Sequence, residues 1–161
     1  MTTHEDLTER AERLYDLLSA DLDTLHLMGT SAPTGNALTR LAAVLGDTAP
    51  LYVWPTDVSD ATRDESGKLH VLTASTVLTT EYGERRPLDV QIMRLNLTAL
   101  NVVPHISDGA RRLRSGIIRL KVELGRGPGW TPITLEARGG QDSRAVDALL
   151  HAVHVLSATL D

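Results

Sequence analysis

Between Gly67 and Val103 the chain repeats one pattern three times: a run with β-branched or large apolar residues at every second position, then a cluster of turn-forming or polar residues. A period of two is the mark of a half-buried strand, so the stretch reads as strand, turn, strand, turn, strand. Leu69 and Val71 share a face of the first run. Val77 and Thr79, or Leu78 and Tyr82, share faces of the second, and Leu88, Val90 and Ile92 share one of the third. The result is a meander with a buried side, and the remainder of the chain has to cover it.

Upstream, Thr3 caps a helix whose first turn holds Asp6, where a carboxylate suits the positive end of the helix dipole. Leu7, Ala11, Leu14, Leu18, Leu22 and Leu25 recur at spacings of four and three, which predicts a long helix to about Gly29 with an apolar stripe and an acidic outer face. Ser31-Ala32-Pro33-Thr34-Gly35 breaks it. A second helix is predicted over 36–45, ended by Gly46. Leu51 to Trp54, bracketed by Pro50 and Pro55, is a short first strand, and 56–66 is a polar loop with Asp57, Asp60, Asp64 and Glu65.

Downstream, 99–106 is a fifth extended run containing Pro104, and Ser107-Asp108-Gly109 turns the chain. Residues 116–124 alternate strictly, Ile118, Leu120, Val122 and Leu124 on one side and Arg119, Lys121 and Glu123 on the other, so half of that strand meets water. A seventh run, 130–137, turns Ile133, Leu135 and Ala137 inward. The last element is a helix over 143–160 with Val146, Leu149, Val153, Leu156 and Leu160 as its buried stripe.

A chain of 161 residues fits one domain and buries roughly 70% of its unfolded surface, enough for a core without staples. The sequence has no cysteine, which excludes disulfides and thiolate zinc sites. No secretory leader and no membrane span is read, so the expected location is the cytoplasm. Chemical motifs fail one by one. Gly29 to Gly35 has the wrong spacing for a phosphate-binding loop and is followed by Asn36 instead of Lys. Gly29-Thr30-Ser31-Ala32-Pro33 has Pro where a nucleophile elbow needs Gly. The acidic loop at 56–66 lacks the alternation and central Gly of a calcium loop. His151 and His154 have no third ligand at short range. The expectation is a protein without enzymatic activity, cofactor or metal.

Seven extended runs followed by one amphipathic helix is an uncommon order, and it resembles the pleckstrin-homology-like fold, particularly its small bacterial versions. The residues that carry the resemblance are Gly67-Lys68-Leu69-His70-Val71-Leu72-Thr73, then Val77-Leu78-Thr79, Leu88-Asp89-Val90-Gln91-Ile92 and Leu100-Asn101-Val102-Val103. It covers about Ala49 to Asp161 and implies an α+β fold: a mainly antiparallel seven-stranded sandwich or barrel capped by the C-terminal helix, with two N-terminal helices added. The corresponding division is 1–48 as a helical extension and 49–161 as the β domain with its helix. The family implies binding by loops, or by the groove between the fifth strand and the helix. Its inositol-phosphate-binding members carry a basic loop after the first strand; here that loop holds Arg63 among carboxylates, which argues against that mode.

The formal charge is −5, yet it is unevenly spread. Carboxylates dominate the first helix, and cations gather at Arg111, Arg112 and Arg114 and continue through Arg119 and Lys121 on one strand face. Arg forks bind carboxylates and phosphates in pairs. The expected site is therefore Arg111, Arg112, Arg114, Arg119, Lys121 and Asn101, which docks a protein or peptide partner as a regulatory module, with backbone pairing along Ala99 to Val103. The same arginines also complement the acidic first helix, and docking of that helix on another copy gives a homo-oligomer. Nucleic acid or anionic membrane is the alternative ligand, disfavoured by the net charge and by the scarcity of aromatic residues.

Overall fold

A computed structural model describes residues 4–18, 32–59, 66–83, 85–106, 117–138 and 144–160. The chain is α+β, with seven strands in two antiparallel sheets, two N-terminal helices and a C-terminal helix among the described residues. It divides into two compact units, Met1–Arg94 and Leu95–Asp161. The N-terminal helices share a core with the first sheet, and the boundary between the two units follows Arg94.

In the first unit, helix α1 (His4–Leu17) and helix α2 (Ala32–Leu45) cover one face of a sheet ordered β1-β2-β3-β4. The strands are β1 (Tyr52–Ser59), β2 (Ser66–Leu72), β3 (Thr76–Tyr82) and β4 (Val90–Arg94). The core joins Leu14 and Leu18, the α2 residues Ala37, Leu38, Leu41, Ala42 and Leu45, and Val53, Leu69, Val71, Leu78 and Tyr82 from the sheet. These helices form because their apolar residues fall on one stripe, and burial against the sheet stabilises them more than propensity does. Arg10 Nη2 meets Asp47 Oδ1 at 2.7 Å, and Arg40 Nη2 donates to the Glu81 carbonyl at 2.7 Å, fastening α2 to β3.

Several boundaries differ from the sequence reading. Helix α2 begins at Ala32, so Pro33 lies in its first turn, where a missing N–H costs nothing. Strand β1 continues through Pro55 to Ser59, which an edge strand allows. Helix α1 is described to Leu17, and Leu18 then forms a parallel bridge to Val53; the remaining predicted part of that helix, including Leu22 and Leu25, lies outside the described residues. Leu88 and Ile92, expected on the buried side, are 72% and 60% exposed. Helix α2 lies over β2 and β3 and reaches β4 only marginally, so the buried row runs off the edge of the sheet.

The second unit holds β5 (Ala99–Ile106), β6 (Ile117–Gly125) and β7 (Ile133–Arg138), ordered β5-β6-β7, and helix α3 (Arg144–Ser157). Leu120, Val122, Leu124, Leu135 and Ala137 are buried, as are Val146, Leu149, Ala152 and Leu156 of α3, which packs on β6 and β7. The strict alternation of β6 thus sorts as expected into a buried and a wet side. Arg126, just past β6, is also buried: its Nε donates to the Leu95 carbonyl at 2.8 Å, and its guanidinium lies 4.7 Å from the centre of the Trp130 ring.

Candidate functional site: the edge and outer face of the second sheet

The register of the second sheet fixes which side chains share its wet face. Three rows cross it: His105–Arg119–Arg138, Val103–Lys121–Glu136 and Asn101–Glu123–Thr134. Three of the six expected site residues, Arg119, Lys121 and Asn101, are therefore brought onto one exposed surface. Arg111, Arg112 and Arg114 lie outside the described residues.

The two cations on β6 are not equivalent. Arg119 forks onto Glu136, Nε to Oε1 at 2.8 Å and Nη2 to Oε2 at 2.9 Å, and Arg138 Nε approaches the same Oε1 at 3.6 Å. Hydrogen bonding from Arg119 holds the Glu136 carboxyl below the usual carboxylate range, helped by the charges of Arg119 and Arg138 and opposed by partial desolvation. The carboxylate that faces Lys121 in register is thus turned diagonally to Arg119. Among the described residues Lys121 makes no ion pair within 4 Å, and it is separated from the open edge of the sheet by Val103, 39% exposed.

Strand β5 is that edge, and no other described strand pairs with its outer side. The Thr98 N–H donates to the Gly125 carbonyl at 2.8 Å, so this carbonyl faces β5. Carbonyl direction alternates along a strand, so Glu123, Lys121 and Arg119 also turn their backbone groups toward β5, opposite Asn101, Val103 and His105 in register. Leu100, Val102 and Pro104 consequently aim theirs at solvent. Pro104 agrees with this parity, since a proline has no N–H for the β6 ladder. The edge offers the N–H groups of Leu100 and Val102 and the carbonyls of Leu100, Val102 and Pro104.

The other side of β5 is apolar and incompletely covered. Leu100 and Val102 are half-buried, and Pro104 and Ile106 (50%) are exposed, whereas their β6 neighbours Leu120, Val122 and Leu124 are fully buried. The helix explains the contrast, because α3 lies on β6 and β7 and leaves the β5 side open beside it. Leu100, Val102 and Val103 fall within the Ala99–Val103 run expected to pair through its backbone, and Pro104, just beyond it, extends the site and already signals an edge.

Two other polar clusters lie in the first unit. His70 hydrogen-bonds Thr56 Oγ1 through Nε2 at 2.7 Å and Thr79 Oγ1 through Nδ1 at 2.8 Å, and stacks on Trp54 with centroids 5.0 Å apart. Desolvation, aided by the charge of Lys68 and opposed by Asp57, lowers its pKa from 6.5 to about 4, so the ring is neutral. A cleft of about 440 Å³ lies between α1 and the 45–50 turn, already bridged by Arg10 and Asp47. His151 and His154 are exposed on α3, and no group of three His, Cys, Asp or Glu among the described residues could hold a metal ion. No helix among those residues is long and apolar enough to cross a membrane.

Compared with protein-family models, with curated proteins and with solved structures, the chain matches none of them.

Proposed function

We propose that the chain is a binding module, pleckstrin-homology-like in kind and not an enzyme, that docks an extended acidic segment of a partner protein along β5. The segment adds as a fourth strand to the second sheet, drawing hydrogen bonds from Leu100 and Val102. Its alternate side chains fall on the two faces of the sheet. Apolar residues enter the half-open strip formed by Leu100, Val102, Pro104 and Ile106 beside α3. On the wet face, a carboxylate placed opposite Val103 meets Lys121 reaching across that small side chain, two strand spacings away, or about 10 Å, within the joint span of a Glu and a Lys. Asn101 takes the next polar position. The observation that carries the reading is the coincidence on one strand, among the described residues, of a hydrogen-bonding edge with no strand on it, an incompletely covered apolar side and a nearby cation without an ion pair.

The test is fluorescence anisotropy with a labelled peptide alternating Val and Glu, against one alternating Val and Lys. The Glu peptide binds, and Lys121→Glu weakens it by about tenfold, the scale of one charge-assisted contact of 1.4 kcal/mol. The same variant improves binding of the Lys peptide. Val102→Pro removes an outward donor and weakens both. Equal affinity for both peptides refutes the role of Lys121, and insensitivity to Val102→Pro refutes the edge. Binding that collapses steeply with salt and is reproduced by single-stranded nucleic acid or anionic vesicles would transfer the surface to the alternative ligand class.

A further inference from the structure

Along the wet face of β6 the charge changes sign between neighbouring rows. Lys121 is flanked in register by Val103 and by Glu136, whose carboxylate is turned to Arg119. Glu123 is flanked by Asn101 and Thr134, neither of which carries a charge. Both Lys121 and Glu123 are exposed, and neither makes an ion pair among the described residues. They stand two positions apart, so an extended segment lying on β5 meets them with side chains that are also two positions apart. Asn101 and Val103, which stand in front, turn their backbone groups toward β6. In antiparallel addition they form the non-hydrogen-bonded pairs, where opposing Cα atoms come to about 4.5 Å and side chains are closest.

We propose that these two charges set the direction and the sequence of the docked segment: it adds antiparallel to β5 and carries an acid followed, two residues on, by a base. The inference rests on the docking proposed above. An antiparallel segment runs against the numbering of β5, so its residue opposite Val103 precedes its residue opposite Asn101. The first is Asp or Glu, reaching Lys121 across Val103. The second is Lys or Arg, reaching Glu123 across Asn101. The residue between them lies opposite Val102, on the apolar side, and is itself apolar. Both strand pairs already in this sheet are antiparallel, and that ladder is slightly more stable per residue than a parallel one. A segment with acids at both positions satisfies Lys121 but sets a like charge toward Glu123, which gives back part of the gain.

Two labelled, end-capped peptides of identical composition test it, one centred on Val-Glu-Val-Lys-Val and the other on Val-Lys-Val-Glu-Val. Net charge and apolar content are the same in both, so only the order differs. In fluorescence anisotropy the Glu-first peptide binds about tenfold more tightly, because reversal turns two attractions into two repulsions. The paired exchange Lys121→Glu with Glu123→Lys keeps the net charge of the chain and inverts the preference. A nitroxide at the N-terminus of the Glu-first peptide broadens the amide resonance of His105 more than that of Ala99. Equal affinities that both fall with Val102→Pro overturn the order and leave the docking standing, whereas equal affinities that ignore Val102→Pro overturn both. Tighter binding of the Lys-first peptide overturns the antiparallel direction. A preference that survives the paired exchange overturns the assignment to Lys121 and Glu123.

Discussion

His70 has little room for a proton. It is wedged between Trp54 and the hydroxyls of Thr56 and Thr79, and those hydroxyls satisfy a neutral ring by giving one hydrogen bond and taking one. Its folded pKa of about 4 lies below the ordinary 6.5. As pH falls below 6.5 the unfolded chain takes up a proton that the folded chain refuses, so stability present above that pH is lost progressively down to about pH 4. With a discount for the part of the ring that water reaches, the loss on this account is about 1–2 kcal/mol. Urea denaturation at about pH 7 and about pH 5 measures it, and His70→Gln should flatten the difference. Identical pH dependence in both chains would contradict the assignment. The pair Arg119 and Lys121 makes a related point. The register sets Glu136 opposite Lys121, and it is the diagonal reach of Arg119 to that carboxylate, across 17 positions of sequence, that separates a neutralised cation from an available one.

At the scale of elements, sequence alternation was most informative where a strand has one dry and one wet side. Strand β6 declares both faces through Arg119, Lys121 and Glu123 against Leu120, Val122 and Leu124. Strand β4 was misleading, because its apolar period is real but α2 reaches it only marginally and leaves Ile92 exposed; coverage is a tertiary property that period cannot report. Prolines misled in the same way. Pro33 and Pro55 read as breaks, yet a helix's first turn and a sheet edge both accept a residue without an N–H. Gly67 shows a constraint that no pattern reveals. It faces Tyr82 across the β2–β3 ladder, and a Cβ there would lie 2.6 Å from the Tyr82 hydroxyl and 2.9 Å from the ring. Gly67→Ala therefore forces the buried ring to move and should cost about 1–3 kcal/mol, read as a lowered urea midpoint. An unchanged midpoint would show that the ring shifts freely.

For the whole molecule, a chain without cysteine obtains its order from two separate sets of helix-on-sheet packing, α1 and α2 on the first sheet and α3 on the second. The seven strands and the C-terminal helix were legible from period; of the six candidate residues, Asn101, Arg119 and Lys121 share the outer face of the second sheet and Arg111, Arg112 and Arg114 lie outside the described residues. The open side of β5 was not legible, because it depends on which strands a helix happens to cover. The proposed function stands on β5 being, among the described residues, an edge with no strand on its outer side. Amide hydrogen exchange resolved to single residues tests it most directly. In the free chain, Asn101, Val103 and His105 should exchange slowly and Leu100 and Val102 quickly, and the Val-Glu peptide should protect Leu100 and Val102 specifically. Protection of Leu100 and Val102 before any peptide is added, or a bound peptide that leaves both unprotected, would contradict it.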